Sequence, residues 1–273
     1  MSESQPSKVF MFDGDDPEME RAKRHARKTF GYFWREVAWE RRRIVPALDL
    51  ACVKAPFSDG APAAESDKPQ VEEMWIDDVD FDGQAVSGSL LNSPNWLTSV
   101  KEGDPVRVPG GKMSDWMYVI EGRVFGAQTV QVLRARMAPA ERAQHDEAWG
   151  LDFGDPSKVR IVPEAKPGGG LLKGWFGKRE DEAATPAADH PMSINMAPSL
   201  REQIAKDPAF MTSKDERGWT LLHHLALAGS TTGVQVLLEA GADPMVKTAK
   251  GHTAAQLAGT LGWVEVVRLL GGK

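Results

Sequence analysis

The period of the apolar positions changes twice along the chain. Over residues 17–38 apolar side chains recur at steps of three and four, which predicts an amphipathic helix. Asp16 fits the N-cap of this helix and Pro17 its first turn. Over 48–137 short apolar runs alternate with turn signals, a pattern typical of strands and hairpins. The helical period returns in short segments near the C-terminus.

The middle part predicts an antiparallel sheet. Its strands, with one more ahead of the helix, are expected at 8–12, 48–57, 71–79, 84–91, 106–108, 116–120 and 124–125. Residues 128–137 fit either a strand or a helix, and 138–149 fit a short helix. Because short strands at hairpin spacings form antiparallel sheets, we expect residues 1–160 to form an α+β domain with the helix packed on the sheet.

Several short motifs of this part occur in a fixed order. They are Ala51-Cys-Val-Lys54, Glu73-Met-Trp-Ile76, Gly88-Ser-Leu-Leu-Asn-Ser-Pro94, Gly103-Asp104 and Ser114-Asp-Trp-Met117, after an opening helix rich in Ala and Phe. With these motifs, residues 17–137 resemble the YegJ-like domain of unknown function (DUF2314 type) of bacterial proteins. The resemblance implies a bacterial origin and a compact α+β fold, and it brings no activity. Such domains often have a histidine before Met-Trp, where this chain has Glu73.

The composition changes to Gly, Pro, Ala and charged residues over 161–192, which indicates a linker. Its inner segment 171–176 is apolar enough to dock on a neighbouring surface. The remaining residues, 193–273, form the third part. There, Ser199 and Glu202 have the spacing of a capping box and predict a leading helix that covers one end of a helical array.

The C-terminal part contains an internal repeat with an offset of 33 residues. Gly218-Trp-Thr returns as Gly251-His-Thr, and Gly229 returns as Gly262. Each copy predicts two short helices, the first capped by a threonine and the second, in the first copy, by Thr231 or Thr232. A fixed period of this length is typical of a solenoid, in which each unit buries its apolar face against its neighbour.

The first copy, Gly218-Trp-Thr-Leu-Leu-His-His-Leu-Ala226, and its ending Gly241-Ala-Asp243 resemble the ankyrin repeat. The second copy departs from that pattern, with Ala-Ala-Gln at 254–256 in place of Pro, Leu and His. The resemblance implies a short all-α ankyrin-type solenoid that binds a protein and has no catalytic role. It also implies that hairpin tips and the inner helix face contact the partner. By position these residues are Glu216, Arg217, Trp219, Leu227, Ala228, Ala249, Lys250 and His252.

So short an array leaves apolar surface at its faces, because about three or more repeats are normally needed for stability. We therefore expect the ankyrin part to pack against the N-terminal domain or against segment 171–176.

Charge is unevenly distributed along the chain. Residues 21–43 contain nine basic and two acidic residues, a net charge of +7, so the remainder carries −13 of a total of −6. A basic stretch of this kind is found in nucleic-acid sites. It is also found on helix faces that meet acidic parts of the same fold, such as the carboxylates at 72–82. The second interpretation is favoured here, so the expected partner is a protein and not a nucleic acid.

Several kinds of chemistry find no support in the sequence. Cys52 is the only cysteine, so neither an internal disulfide nor a multi-cysteine zinc site can form. The six histidines lack the spacing of an HExxH motif, and His223 fits a structural role at a helix start. We expect no metal and no cofactor. No apolar run approaches the roughly 20 residues that span a bilayer, and the expected location is the cytoplasm.

The sequence therefore predicts a non-catalytic bacterial protein that acts through protein–protein interaction by its ankyrin module. One form of this role is an immunity or antitoxin protein whose acidic surface covers a basic toxin. The alternative is an enzyme in which the ankyrin module selects the substrate. Its site would lie in the YegJ-like domain at Trp75, Asn92, Asp104, Asp115 and Trp116. A deep polar pocket at those residues would favour the enzyme, and a flat or convex acidic face the binding protein.

Overall fold

A computed structural model describes residues 16–60, 70–163 and 189–271. The helices are α1 (Pro17–Glu40), α2 (Gln128–Arg136), α3 (Pro139–Trp149), α4 (Pro191–Lys206), α5 (Leu221–Leu227), α6 (Thr231–Glu239), α7 (Ala254–Thr260) and α8 (Val264–Leu269). The strands are β1 (Leu50–Phe57), β2 (Glu72–Phe81), β3 (Ala85–Leu90), β4 (Pro105–Pro109), β5 (Asp115–Ile120) and β6 (Arg123–Gly126). The strand predicted at 8–12 and the segment 171–176 lie outside the described residues. So does most of the predicted linker, whose bounds stay a prediction.

Within these ranges the six strands form one sheet in the order β4-β3-β2-β1-β5-β6, and neighbouring strands run antiparallel. Strand β2 is irregular between Asp77 and Asp80, where the register to β3 shifts and Asp78 takes a positive φ of 48°. Such a bulge bends the strand and turns its end away from the plane of the sheet. The α+β architecture predicted from the strand pattern is confirmed.

The two faces of the sheet pack against different helices. On one face the side chains of Val53, Trp116 and Tyr118 share a buried core with Phe30 and Phe33 of α1. The opposite face packs on α2 and the chain that follows it, through Cys52, Met117, Val119, Val130 and Phe153. Successive side chains of β5 point to opposite faces of the sheet, and both sets are buried because helices cover both faces.

Helix α1 is buried almost all round in its second half. Every residue from Phe33 to Trp39 is buried, a run of nearly two turns. A helix that packs on one sheet keeps a polar face toward water, so burial on all sides means that a second body covers the other face. That body is the C-terminal helical module, and α1 is the layer between it and the sheet.

The predicted N-cap of α1 is confirmed, since Asp16 Oδ1 accepts a hydrogen bond from the amide of Glu18 at 2.9 Å.

The C-terminal module consists of two helical hairpins, α5/α6 and α7/α8, preceded by α4. Helices α4, α6 and α8 pack side by side in an outer layer, and α5 packs on α7 in the inner layer. Thr220 and Thr253 start the inner helices with capping boxes, as the repeat predicts. The cap of α6 is Ser230 and not Thr231 or Thr232.

The leading helix α4 begins eight residues before the predicted capping box. Pro191 occupies its first turn, and the ring of His190 accepts a hydrogen bond from the amide of Met192 at 3.1 Å. Ser199 therefore lies inside the helix, just after Pro198. The prediction was wrong because a histidine at the N-cap is not among the side chains that signal a helix start.

Candidate functional site at the domain interface

The inner side of the ankyrin module packs directly on the N-terminal domain. Trp219, Leu227 and Leu257 of the module share one buried core with Trp34 and Phe81. The prediction that the module docks on the N-terminal domain is confirmed. This apolar contact explains how so short an array buries its inner face.

The contact continues along the opposite side of α1. Trp39 lies in the core of the ankyrin module and stacks on the ring of His190, with centroids 5.6 Å apart. The Nε2 atom of His190 lies 3.2 Å from a carboxylate oxygen of Glu36, and both side chains are buried. Tyr32 packs edge-on against Trp263 at 5.7 Å. The second half of α1 thus belongs to the cores of both domains.

Gly31 allows α1 to approach the module closely. A Cβ atom at this position would lie 3.0 Å from the backbone oxygen of Leu261 and 3.2 Å from the ring of Trp263. We expect Gly31→Leu to force the two domains apart and to cost about 1–3 kcal/mol in the free energy of unfolding. The measurement is urea unfolding followed by tryptophan fluorescence.

The matched control for this variant is Gly259→Leu in α7. A Cβ atom at Gly259 meets nothing within 4 Å, so the substitution gains helix propensity of up to about 1 kcal/mol without a clash. Equal unfolding midpoints for the two variants would show that α1 and the module are not tightly packed at Gly31.

Two carboxylates of β2 and its following turn join the domains by ion pairs. Asp80 binds Arg41 of the N-terminal domain and Arg217 of the first ankyrin hairpin, each at 2.8 Å. Asp82 binds Lys250 of the second hairpin at 2.6 Å and Arg107 at 2.8 Å. Next to these pairs, Gln84 Nε2 lies 3.4 Å from His252 Nε2. We call this charged border between the domains the seam rim: Asp80, Asp82, Gln84, Arg107, Arg217, Lys250 and His252.

The pKa of Asp82 gives the docked form a dependence on pH. Burial raises this pKa, but the bonds from Lys250, the Ala85 amide and Arg107 together hold it below its usual range. A folded-state pKa below the unfolded value of about 3.9 means that ionised Asp82 stabilises the fold at neutral pH. That stability is lost as the pH falls through the unfolded and then the folded pKa.

We therefore expect Asp82→Asn to be less stable than the wild type at about pH 7, and the difference to shrink between about pH 5 and pH 2. The measurement is the free energy of unfolding of both proteins across this range. A difference that stays constant down to about pH 2 would contradict the role of the carboxylate.

The predicted partner-binding residues fall into two groups. Trp219, Leu227 and Ala228 are buried against the N-terminal domain, with 5%, 0% and 0% of their surface exposed. Their expected contact with a partner is therefore corrected: in the docked form they contact this chain itself. The tips stay at the surface, since Glu216, Ala249 and Lys250 are exposed and Arg217 and His252 are half-buried. Partner binding by the tips stays a prediction.

The basic stretch and the acidic run also meet within the chain. Lys23 binds Glu73 at 3.1 Å, and Arg41 binds Asp80. Glu72 is buried and accepts from the backbone amide of Asn95 at 3.0 Å. These contacts support the intramolecular interpretation of the charged stretches over a nucleic-acid site.

The residues of the predicted enzyme pocket do not line the cavity of about 320 Å³ between the two domains, and their described contacts are structural. Trp75 donates its backbone amide to Asn92 Oδ1 at 3.0 Å, and Asp104 accepts from the Lys101 amide at 3.0 Å. Trp116 is fully buried and donates its indole N–H to the oxygen of Ala26 at 2.9 Å. Each of these contacts joins a turn, strand or helix to its neighbour.

Asp115 is the buried member of this set, and it acts as a cap supplied from a strand. Its two oxygens accept from the amides of Trp116, Gln128 and Thr129 at 2.7–3.0 Å, and from the Thr129 hydroxyl at 2.6 Å. Gln128 and Thr129 open α2, whose N-cap residue Ala127 makes no side-chain cap. Burial raises the pKa of Asp115, while the Lys54 ammonium and the Thr129 bonds act in the opposite direction.

His223 also has a structural role. Its Nδ1 atom accepts from the Thr220 amide at 3.1 Å, and its Nε2 atom lies 3.0 Å from the oxygen of Val246. Burial lowers its pKa, which favours the neutral ring. In the described ranges, no three His, Cys, Asp or Glu side chains come together to hold a metal ion. None of the helices described here is long and apolar enough to cross a membrane.

The sequence analysis missed the N-terminal half of this interface. Nothing in the sequence assigned Trp34 or Phe81 to the contact with the module, or Arg41 to the carboxylate of Asp80 that it shares with Arg217 of the module. One signal was present: apolar residues occupy more positions of 33–39 than a single buried face requires.

Comparison with known proteins agrees with this architecture. The family model described as "Uncharacterized protein conserved in bacteria (DUF2314)" matches residues 16–153, and the model for ankyrin repeats (many copies) matches residues 212–258. A protein of Neisseria meningitidis serogroup B, "Putative ankyrin repeat protein NMB1133/NMB1171", is 42% identical over 265 residues, which cover 97% of each chain. "Uncharacterized protein YegJ" of Escherichia coli (strain K12) is 28% identical over 85 residues, 31% of this chain and 50% of that protein. The chain belongs to the DUF2314 family of bacterial proteins and carries ankyrin repeats near its C-terminal end.

Proposed function

We propose that this protein is a non-catalytic binding protein whose partner, another protein, contacts the seam rim and the adjacent Glu216. The observation that carries the proposal is the exposure of the hairpin tips after docking. Glu216 is exposed and has no side-chain partner among the described residues, and the side chain of Lys250 keeps 55% of its surface while bound to Asp82. Ankyrin arrays bind other proteins through such exposed surfaces.

In this proposal the two domains act together. Arg217 and Lys250 come from the ankyrin hairpins, and Asp80, Asp82 and Arg107 come from the sheet domain. A partner at the seam rim therefore touches both domains at once. Buried Trp219 supports the rim from below instead of contacting the partner.

One form of this role is an immunity or antitoxin protein that covers a basic toxin. The support is the charge of −13 outside residues 21–43, which favours a basic partner by long-range attraction.

We also propose a cytoplasmic location. The single Cys52 is buried, and burial raises its pKa well above the usual range, as suits a thiol that stays reduced and unreactive.

The test is capture of the partner by the full-length chain in its native cell, with a photo-cross-linking amino acid at position 216. The charge reversal Glu216→Arg is expected to reduce capture about tenfold, as loss of a well-placed charge at an interface does. The matched control is Glu147→Arg on α3, an exposed glutamate without a side-chain partner among the described residues. A second protein carries the photo-cross-linking amino acid at position 147. Equal capture by the two arginine variants, or cross-links from position 147 but not from position 216, would refute binding at the rim. A captured protein of acidic charge would refute the antitoxin form alone.

A further inference from the structure

The basic stretch 21–43 divides into two sets in the structure. Six of its nine basic side chains contact a carboxylate or a backbone oxygen of the fold, namely Lys23, Arg27, Arg35, Arg41, Arg42 and Arg43. The other three, Arg21, Arg24 and Lys28, are exposed, and their side chains make no hydrogen bond or ion pair with the described residues. Contacts within the fold therefore explain six of these cations and leave three without a role.

The three remaining cations lie on one face of the first half of α1. They are spaced by three and four residues, so they form a stripe about 10 Å long on the helix surface. We call Arg21, Arg24 and Lys28 the α1 stripe. Like charges at this spacing destabilise a helix when nothing neutralises them. The stability of α1 therefore does not explain why these residues are basic.

The last ankyrin hairpin borders the α1 stripe. About one turn beyond Lys28, Gly31 and Tyr32 pack against the loop between α7 and α8, where the rings of Tyr32 and Trp263 lie 5.7 Å apart. Val264 follows Trp263 in the chain and keeps 72% of its surface exposed. An exposed apolar side chain of the ankyrin module thus lies near the basic stripe of the sheet domain.

These surroundings favour an acidic protein over other polyanions. Single-stranded nucleic acids stack on accessible aromatic rings, but the rings nearest to the stripe, Tyr32 and Trp263, pack edge-on against each other. A long nucleic acid also meets the negative charge of the rest of the chain. Helices that lie on membranes insert apolar side chains beside their basic ones, whereas no large apolar side chain of α1 is exposed.

We propose that the α1 stripe binds an acidic helix of a second protein, with carboxylates at steps of three and four on one face. These carboxylates pair with Arg21, Arg24 and Lys28, because both helix faces follow the same period. An apolar side chain next to the carboxylates packs on Val264. The α1 stripe and the seam rim share no residue, so this inference does not rest on the proposed function.

The experiment measures binding of a fluorescein-labelled helical peptide to the full-length protein by fluorescence anisotropy. The salt concentration is kept low, where exposed charges are screened least. The first peptide has its glutamates on one face, at positions i, i+3, i+4 and i+7, and a second peptide of the same composition distributes them around the helix. We expect saturable binding of the first peptide and severalfold weaker binding of the second. A short DNA duplex and phosphatidylglycerol vesicles, at the same salt concentration, are expected to bind more weakly than the first peptide.

Two double variants test the role of the cations. Arg24→Gln with Lys28→Gln is expected to weaken binding of the first peptide about tenfold, because two charge-assisted hydrogen bonds are removed. The matched control is Lys101→Gln with Lys158→Gln, which removes the same charge from two exposed lysines outside the stripe and is expected to leave binding unchanged. Without peptide, the stripe variant is expected to keep or raise the melting temperature, since it removes a pair of like charges at i and i+4.

Four results would overturn the proposal. They are the absence of saturable binding of the first peptide, equal binding of the two peptides, equal affinities for the two double variants, and tighter binding of the DNA duplex or the vesicles than of the first peptide. Partner capture through position 216 does not involve the α1 stripe, so the two proposals fail separately.

Discussion

Replacing Trp219 by alanine is expected to lower the free energy of unfolding by about 3–5 kcal/mol, the range for removal of a buried large aromatic side chain. Trp219 is 95% buried in the core that joins the domains, where it packs with Trp34 and Phe81. The loss is a large share of a total stability of about 5–15 kcal/mol. Urea unfolding measures the loss, and amide hydrogen exchange locates it. Exchange is expected to increase in α5 and in the second half of α1.

The matched control for Trp219→Ala is Trp149→Ala on α3. Trp149 keeps 41% of its surface exposed, and its ring meets only the edge of a smaller cluster with His145 and Phe153. We expect a cost of about 1 kcal/mol for this variant. Similar losses for the two variants would mean that the interface around Trp219 does not hold the domains together.

Replacing Asp115 by alanine is expected to cost roughly 3 kcal/mol or more. The variant removes the acceptor of three backbone amides and one hydroxyl, and an unsatisfied buried donor costs about 1–3 kcal/mol. The first turn of α2 also loses the negative charge that its dipole favours. The loss is expected in urea unfolding, with early exchange of the amides of Gln128 and Thr129.

Asp104→Ala is the control for Asp115→Ala, because Asp104 is only half-buried and its carboxylate accepts one backbone amide, that of Lys101. A cost below about 1 kcal/mol is expected for that variant. If Asp115→Ala were as stable as Asp104→Ala, the capping role of Asp115 would be wrong.

Local sequence patterns predicted most of the secondary structure. Helix α1 follows from its apolar period and the cap at Asp16, and the hairpins of the sheet follow from their turns. Residues 128–137 stayed ambiguous because Val130 and Val132 alternate as in a strand. What decides for a helix is the carboxylate of Asp115, 13 residues earlier in the chain, which satisfies the first amides of α2. No local pattern contains that contact.

The site was harder to predict than the fold. The ankyrin pattern identified Trp219 and Lys250 as interface positions, but such a pattern does not say whether the other side of the interface is a second protein or the same chain. The contact between Trp34 and Trp219 joins two stretches about 180 residues apart in sequence, α1 and the first ankyrin hairpin. Neither stretch alone shows that it faces the other.

The burial of α1 between two domains has a consequence for synthesis on the ribosome. Residues 33–39 emerge early, yet in the part of the chain that the structure describes the apolar cover of Trp39 comes from the last third, from residues such as His190 and Leu222. Until those residues leave the exit tunnel, an apolar helix surface stays open to water and to neighbouring chains, which invites aggregation. We therefore expect ribosome-associated intermediates of this chain to be bound by chaperones at their exposed first helix.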